Sequence, residues 1–387
     1  MKILWLSHSA RPGGAEFAMA EAVEALAARG HEQHVVLPSV GPLLYRLDGC
    51  ATVDVCTHKA WLVGEKATRE KAEAVLYNAV VAGPQLARLA RRVGADVVVS
   101  NTLTAMAGAI GARRAGVPHV WFVHEFGPED HGMVFVLGRR PTFRFMRERS
   151  DVCLTNSDAV ARHLRPRLPG VEVRVARYAV TVPAVRPAPT PARSRLRLLL
   201  VGAKTPTKRQ HDAVEALGVL VSDGVDAELM LVGGGDPAYE ARLRELVAEL
   251  GLADRVRFRA FDPDPFALMC DADVVLMCSR HEALGRVTVE AMKAGRPVVG
   301  AASGATPELV EHGVTGYLYR PGDPADLARW IRTCAEDPVA AREMGERGER
   351  WARATFNLGC YGEQIEAALE RAVRPRNAAR PVVRAAA

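Results

Sequence analysis

Short apolar runs that do not alternate with polar residues recur along this chain, and helix-like segments separate them. Such runs are typical of strands buried on both faces of a parallel sheet, because a strand with one solvated face alternates apolar and polar residues. A helix is expected over Ala15–Ala28, after the first run. In the first half, the runs that predict strands are Lys2–Ser7, Gln33–Pro38, Asp96–Ser100, Val117–His124, Val152–Thr155 and Val171–Val175.

The same pattern restarts after a proline-rich segment. Four prolines between positions 183 and 191 predict a stiff linker over residues 183–195. Two successive arrays of strands and helices predict an α/β protein with two doubly wound, Rossmann-like domains, residues 1–182 and 196–355, facing each other across a cleft. The second array of predicted strands is Leu196–Val201, Glu228–Val232, Val256–Phe258, Asp273–Met277, Pro297–Gly300 and Gly316–Tyr319.

The end of the chain has a different pattern. Helical segments are expected from Asp323 to Ala372, and residues 356–372 are expected to form a helix that packs back on the first domain. The tail from Arg371 carries five arginines and no acidic residue, and residues 373–387 are predicted to be disordered.

The composition excludes several classes of protein. With 49% apolar and 25% charged residues, the chain of 387 residues is not a disordered one. The sequence has no uninterrupted run of 18 apolar residues, the length needed to span a membrane. The apolar start at Met1–Leu6 is too short for a signal peptide. The seven cysteines show neither a CxxC pair nor metal-ligand spacing, which favours reduced thiols and a cytoplasmic protein.

The first half is basic, with 23 Lys and Arg against 17 Asp and Glu up to residue 182. Nucleic acid is not an expected partner, because no basic helix carries base-reading or stacking residues. Apolar residues alternate with arginines at positions 139, 140, 144, 147 and 149. This segment is a solvated helix face packed by its apolar side, a surface for peripheral contact with an anionic membrane, or a receptor for a phosphorylated acceptor.

Two loops after predicted strands could bind phosphate. Gly13 and Gly14 precede the first helix, where backbone N–H groups and the helix dipole favour an anion. The loop lacks GxGxxG and a P-loop lysine, which argues against a dinucleotide oxidoreductase and a P-loop nucleotidase. In the second half, Lys204, Lys208 and Arg209 precede a helix and could neutralise a diphosphate.

A pair of carboxylates follows the predicted strand Asp273–Met277. Carboxylates accept paired hydrogen bonds from vicinal hydroxyls, so Glu282 and Glu290 could hold a sugar and a ribose. Backbone amides near Gly285, Arg286 and Val287, at the start of the next helix, could hold the phosphates between them.

Several motifs agree in their order along the chain. Glu282 is followed after seven residues by Glu290, then by Ala291–Met292 and Gly295–Val299. Four further motifs stand in matching places: Gly13–Gly14, His124–Glu125, Asn156–Ser157 and Gly304–Glu308. The arrangement resembles the donor-site motif of the retaining GT-B glycosyltransferases of glycosyltransferase family 4, and the likeness extends to about residue 370.

The resemblance implies a role for each matching residue. Gly14, beside Gly13, brings its backbone to the diphosphate and the donor sugar, and Lys208 binds the phosphates. Glu282 holds hydroxyls of the donor sugar and Glu290 holds the ribose. Backbone near the sugar and phosphates comes from Ala283, Leu284, Gly285, Arg286 and Val287. The implied catalytic residues are His124, beside the transferred sugar, Lys208 and Glu282.

The chain departs from the family at one position. The family often has an arginine where this chain has Ala203. Either Lys204 substitutes for that arginine, or phosphate binding relies on Lys208 and Arg286. Phe261 is expected near the nucleotide base.

The resemblance implies transfer of a hexose-type sugar, with retention of configuration, from a UDP- or GDP-sugar to a hydroxyl of a glycan, a lipid-linked or a small-molecule acceptor. No metal and no cofactor is expected, because no Asp-x-Asp pair occurs at a matching site. Same-face attack by the acceptor, with its proton taken by the leaving phosphate, is the expected course. The alternatives are a GT-B epimerase or hydrolase, and a catalytically silent nucleotide-sugar-binding partner protein.

Overall fold

The computed structural model describes residues 1–63, 68–131, 134–184 and 195–374. Most of the predicted linker, residues 185–194, and all but two residues of the predicted tail lie outside the described residues. All twelve predicted strands are confirmed to within two residues at each end. The strands, β1 to β15 in chain order, are Lys2–Ser7, Glu32–Leu37, Thr52–Val55, Leu62–Val63, Val97–Asn101, His119–Val123, Val134–Phe135, Val152–Thr155, Glu172–Val175, Leu196–Val201, Ala227–Val232, Val256–Arg259, Val274–Met277, Val298–Ala301 and Gly316–Tyr319.

The large strands form two parallel sheets, as the apolar runs predict. The first has the order β3-β2-β1-β5-β6-β8-β9, and the second has the order β12-β11-β10-β13-β14-β15. Strands β4 and β7 form a small antiparallel pair. In β1, the four residues from Ile3 to Leu6 are all at most 1% exposed, which explains why the run does not alternate. The expected pair of doubly wound α/β domains is therefore confirmed.

Helices cover both sheets. The α-helices, α1 to α16 in chain order, are Gly14–Ala28, Leu43–Leu47, Thr68–Tyr77, Gly83–Val93, Met106–Ala115, Pro128–His131, Arg139–Glu148, Asp158–Leu164, Gln210–Ser222, Pro237–Glu249, Phe266–Asp271, Arg286–Lys293, Thr306–Leu309, Pro324–Glu336, Pro338–Thr355 and Leu358–Val373. A π-helix, Asn78–Ala82, joins α3 to α4, and a 3₁₀ turn, Pro206–Lys208, precedes α9. Helix α16 ends at Val373, the first residue of the predicted tail.

The last helix lies on the first domain. The Tyr361 hydroxyl of α16 donates to the carbonyl of Ala18 in α1, at 3.1 Å. Arg29, just after α1, pairs with Glu366. Helix α16 therefore belongs to the helical layer over the first sheet.

The chain passes between the domains twice, and one lysine donates hydrogen bonds to a backbone carbonyl next to each of these two passages. Lys293, at the end of α12, donates to the carbonyls of Val180 and Phe356, each at 2.7 Å. Burial lowers the pKa of Lys293 to about 8. Since Val180 precedes the first crossing and Phe356 follows the second, α12 is anchored where the two domains meet.

Candidate functional site

The carboxyl ends of the two sheets face each other, and most predicted site residues lie there. The loops that follow β1, β6, β10 and β13 carry Gly13, His124, Lys208 and Glu282. The Ser157 hydroxyl of the first domain donates to the carbonyl of Ala283 in the second. This contact places the two sets of strand-end loops around one cleft, where ligands of open α/β sheets bind.

Lys208 and Glu282 are in direct contact within this cleft. The Lys208 Nζ donates to Glu282 Oε2 at 2.6 Å, and the side chains are 33% and 14% exposed. Strands β10 and β13 are neighbours in the second sheet, so their following loops lie side by side. The two predicted ligands of phosphate and sugar thus form one ion pair.

The loop that carries Glu282 is held by a glycine. The amide of Ala305 donates to the carbonyl of Glu282 at 2.8 Å. Gly304 has φ +59, and a Cβ at this position would lie 2.4 Å from the same carbonyl oxygen. Only glycine allows this approach, which gives a physical reason for the glycine of the Gly304–Glu308 motif.

Arg286 reaches across the cleft instead of lying open for phosphate. Its guanidinium binds both oxygens of Glu21 in α1, at 2.6 and 3.1 Å, and the two side chains are 15% and 3% exposed. Burial works against the charged guanidinium, but Glu21 raises its pKa. The carboxylate of Glu21 occupies the guanidinium in this arrangement, and a role of Arg286 in phosphate binding stays a prediction. A Cβ on Gly14 would lie 4.0 Å from Cδ of Arg286, so the glycine loop meets α12 here.

Glu290 lies one turn further along α12. Its Oε1 is 4.0 Å from Nε of Arg286, and burial raises the pKa of its carboxyl. A half-buried carboxylate at this place is suited to accept hydrogen bonds from a diol. The side chain of Leu284 is buried in the core, whereas Ala283 and Val287 are half-buried beside the cleft loops.

His124 is held by hydrogen bonds at both ring nitrogens. Its Nδ1 contacts the Tyr178 hydroxyl, and its Nε2 lies 2.6 Å from Asn101 Oδ1. The Asn101 amide donates to a backbone carbonyl, so its oxygen accepts from His124 Nε2–H. Burial lowers the pKa of His124 to about 3, so the imidazole is neutral at pH 7. His124 can orient groups but is not placed to carry a proton.

The carboxyl of Glu125, the residue after His124, is bound to the backbone. Its two oxygens accept from the amides of Leu103 and His124, at 2.6 and 2.9 Å. Burial raises the pKa of this carboxyl to about 8. The carboxyl therefore joins the ends of β5 and β6.

Lys204 does not lie in the cleft, contrary to the sequence prediction. Its side chain is 3% exposed, and Nζ donates to the carbonyls of Gly233 and Arg259 and lies 2.9 Å from Glu240. The backbone of Lys204 pairs with Gly235, which turns the side chain towards β11 and β12. Lys204 therefore does not substitute for the arginine that Ala203 replaces.

Phe261 is 68% exposed in the loop after β12. The nearby Asp262 pairs with Arg259 at 3.0 Å. The ring is accessible to a flat ligand, but no described contact joins it to Glu282 or Glu290. Its place near the base remains a prediction.

Glu308 joins the domains in a way that the motif did not predict. Its two carboxylate oxygens accept from the amides of Asp158 and Ala159, at 2.8 and 2.6 Å, at the start of α8 in the first domain. Glu21 and Tyr178 were also missed. All three are single polar residues whose partners lie far away in sequence, so no local pattern marks them.

The basic segment forms helix α7. Thr142, Phe143 and Met146 are buried, and the four arginines of the helix are exposed, whereas Arg149, just after it, is half-buried. A groove of about 360 Å³ beside the helix is lined by Arg139, Arg140, Phe143, Arg144, Arg147, Pro166, Arg167 and Pro169. The helix packs by its apolar side, as one of the three interpretations predicts. Its exposed arginines are also accessible to an anion, so the other two interpretations stay predictions.

Two further kinds of feature are absent from the described part of the chain. Among its helices, none combines the length and the hydropathy that a membrane span requires. In the same residues, no group of three or more His, Cys, Asp or Glu side chains could hold a metal ion.

Gly13 leaves room for Glu16, whose carboxyl gives a testable pH dependence. A Cβ on Gly13 would lie 2.5 Å from Glu16 Oε2, and Glu16 Oε1 lies 3.0 Å from His8 Nδ1. Burial raises the pKa of Glu16 from 4.5 to about 7. The folded state therefore keeps this proton up to about pH 7, whereas the unfolded chain loses it near 4.5, so rising pH favours unfolding between these values.

In the parent, we expect this carboxyl to lower the free energy of unfolding by up to about 3 kcal/mol as the pH rises from 4.5 to 8. In the Glu16→Gln variant, this part of the decrease is expected to disappear. The measurement is urea unfolding of both proteins across this range. Glu125 titrates in both proteins, and most of its contribution cancels in the comparison, because Glu16 is the smallest of the causes of its raised pKa. Parallel pH profiles for the two proteins would contradict the assignment of this carboxyl.

Comparison with known proteins agrees with the fold and the cleft. Residues 12–182 match the family model described as Glycosyltransferase Family 4, and residues 185–351 match the one described as Glycosyl transferases group 1. The chain belongs to the GT-B glycosyltransferases of this family. The resemblance drawn from the sequence motifs is therefore confirmed.

Similar proteins differ in what they act on. The N-acetyl-alpha-D-glucosaminyl L-malate synthase of Bacillus anthracis is 38% identical over 41% of each chain. The D-inositol 3-phosphate glycosyltransferase of Streptomyces avermitilis is 33% identical over 49% of this chain and 44% of its own. The match thus spans less than half the length of these relatives. The crystal structure of HepE from Anabaena, in complex with UDP and glucose, has a TM-score of 0.78 and 26% identity, over 96% of this chain and 99% of that one.

Proposed function

We propose that the protein transfers a hexose-type sugar, with retention, from a UDP- or GDP-sugar to a hydroxyl of an acceptor. The observation that carries the proposal is the position of Lys208, Glu282 and Glu290 at one side of the cleft. Lys208 stabilises the negative charge that develops on the leaving diphosphate. Glu282 accepts hydrogen bonds from sugar hydroxyls, and Glu290 accepts them from the ribose.

The similar crystal structure of HepE, which holds UDP and glucose, favours a UDP-sugar over a GDP-sugar as the donor in this proposal. Acceptors named for the relatives, malate and inositol 3-phosphate, support a hydroxylated small molecule, and a glycan or lipid-linked acceptor stays in the proposal. We further propose that no metal takes part and that the protein acts in the cytoplasm, with peripheral contact to an anionic membrane through α7.

The test of the proposal is release of nucleoside diphosphate from UDP-glucose and GDP-mannose, with and without a panel of hydroxylated acceptors. We expect release to depend on an acceptor and to continue in the presence of a chelator. Release at the same rate without any acceptor would favour a hydrolase or epimerase. No release under any condition would favour the silent partner protein.

Glu290→Ala is expected to weaken binding of the free nucleotide at least tenfold, because each lost charged hydrogen bond is worth about 1.5–3 kcal/mol. Titration calorimetry with UDP and GDP measures this effect. The matched control is Glu311→Ala, a glutamate of the same domain that lies outside the site. Equal affinity of the Glu290 variant and the parent would contradict the ribose assignment.

A further inference from the structure

Glu308 of the second domain binds the backbone of the first domain. It lies in α13, and its two carboxylate oxygens accept from the amides of Asp158 and Ala159, at 2.8 and 2.6 Å. The first amides of a helix have no carbonyl partner within the helix itself, so Glu308 caps α8 from the other domain. The Glu308 side chain is 13% exposed, and Arg162 and Arg177 lie 3.4 and 3.9 Å from its oxygens. The carboxylate is therefore built into the contact between the domains.

Ser157, the residue before α8, binds the loop of Glu282. Its hydroxyl donates to the carbonyl of Ala283 and accepts from the amide of Val160. The amide of Ala305, just before α13, donates to the carbonyl of Glu282 at 2.8 Å, so α13 and this loop are joined to each other. The start of α8 thus contacts two connected parts of the second domain at once.

The same short segment holds His124. The side-chain amide of Asn156 donates to the carbonyl of His124 at 3.1 Å and to the Tyr178 hydroxyl at 3.0 Å. The Tyr178 hydroxyl in turn contacts Nδ1 of His124. Four consecutive residues, which we call segment 156–159, therefore connect the loop of the proposed sugar ligand Glu282 to His124.

The three side chains proposed to bind the nucleotide sugar all belong to the second domain. Lys208, Glu282 and Glu290 keep their places there without help from Glu308, so binding of the nucleotide does not need the contact between the domains. Transfer, in contrast, needs the sugar at a fixed position relative to groups of the first domain. An error of about 1 Å in such a position costs about a hundredfold in rate. A contact at this place therefore acts on transfer more than on binding.

We propose that Glu308 is a positioning residue for sugar transfer. It holds the loop of Glu282 against segment 156–159 and thereby fixes the donor sugar relative to His124. Its charge strengthens the contact, because hydrogen bonds from amides to a carboxylate are roughly twice as strong as those to a neutral acceptor. This inference rests on the proposed function, and it adds to that function a residue that acts through the backbone of α8.

Glu308→Ala tests this role by separating rate from binding. We expect kcat for acceptor-dependent release of nucleoside diphosphate from UDP-glucose or GDP-mannose to fall about ten- to a hundredfold. The affinity for free UDP or GDP is expected to stay within about twofold of the parent, because Lys208 and Glu290 are unchanged. Steady-state kinetics measures the rate, and titration calorimetry measures the affinity. Glu308→Gln keeps one oxygen that can accept from an amide, so it should recover part of the lost rate.

Hydrogen exchange gives a readout that does not depend on activity. In Glu308→Ala, the amides of Asp158 and Ala159 lose their acceptor, and we expect them to exchange at least about tenfold faster than in the parent. If Glu308→Ala fails to fold by circular dichroism, Glu308→Gln replaces it with the same expected directions and smaller effects.

The matched control is Asp337→Ala. The carboxylate of Asp337 also accepts from a backbone amide at the start of a helix, that of Ala340 at 2.9 Å, but both residues belong to the second domain. We expect its kcat, its nucleotide affinity and the exchange at residues 158 and 159 to equal those of the parent.

The outcomes separate this inference from the proposed function. A kcat for Glu308→Ala within twofold of the parent, or unchanged exchange at residues 158 and 159, overturns the positioning role and leaves the donor site in place. Loss of nucleotide affinity in step with kcat, or an equal loss of kcat in the Asp337 control, also overturns it, because the effect is then not specific to transfer. A parent that binds neither nucleotide and releases no diphosphate overturns both.

Discussion

Lys208→Met is expected to lower kcat for sugar transfer by about a hundredfold to a thousandfold, the cost of losing one preorganised donor to a developing negative charge. The leaving diphosphate gains charge as the bond to the anomeric carbon breaks, and Lys208, whose ammonium has N–H donors beyond the one that Glu282 accepts, can stabilise it. Arg209 and Arg286 are bound to carboxylates, and Lys204 faces away. The measurement is the steady-state rate of nucleoside diphosphate release from the nucleotide sugar.

The control for this variant is Lys2→Met. Lys2 lies at the amino end of β1, opposite the cleft, and pairs with Glu32 at 3.2 Å. Its loss is expected to leave the rate unchanged. A rate for Lys208→Met within threefold of the parent would mean that another group stabilises the leaving diphosphate.

Glu21→Gln is expected to lower the free energy of unfolding by about 3 kcal/mol, because it leaves the buried guanidinium of Arg286 with only the more distant carboxylate of Glu290, at 4.0 Å. Glu21 also accepts from the amide of Thr181 at 3.0 Å, next to the first chain crossing. The same change should therefore loosen the contact between the domains. Urea unfolding, followed by tryptophan fluorescence, measures the effect.

Two further variants separate charge from packing. Glu148→Gln removes the partner of Arg144 in an exposed pair at the end of α7, and no measurable change is expected. The double variant Glu21→Met with Arg286→Met should recover most of the lost stability, since apolar replacement of a whole buried ion pair is often neutral. A Glu21→Gln variant as stable as the parent would show that the pair contributes nothing to holding the domains together.

The fold could be predicted because burial leaves a direct mark on these strands. A central strand such as Lys2–Ser7 is covered on both faces, so its residues are nearly all apolar. Thr52–Val55 was missed: it is an edge strand of the first sheet, is half-exposed, and includes Asp54. The sequence pattern therefore identifies the central strands, and of the short edge strands it identifies β9, β12 and β15 but not β3.

The candidate site was only partly predictable. Local motifs marked Lys208, Glu282 and Glu290, because the ends of parallel strands meet at one edge of a sheet. Which cation can reach a ligand in the cleft depends on partners far away in sequence. Lys204 is bound by Glu240 and Arg286 by Glu21, and neither pairing follows from spacing along the chain.

A donor site for a nucleotide sugar in the cleft is tested by calorimetric titration of the protein with UDP and GDP, with and without a chelator. We expect one of these nucleotides to bind and the chelator to leave its affinity unchanged. Binding that disappears with the chelator would contradict metal independence. Failure of both nucleotides to bind would contradict the donor site itself.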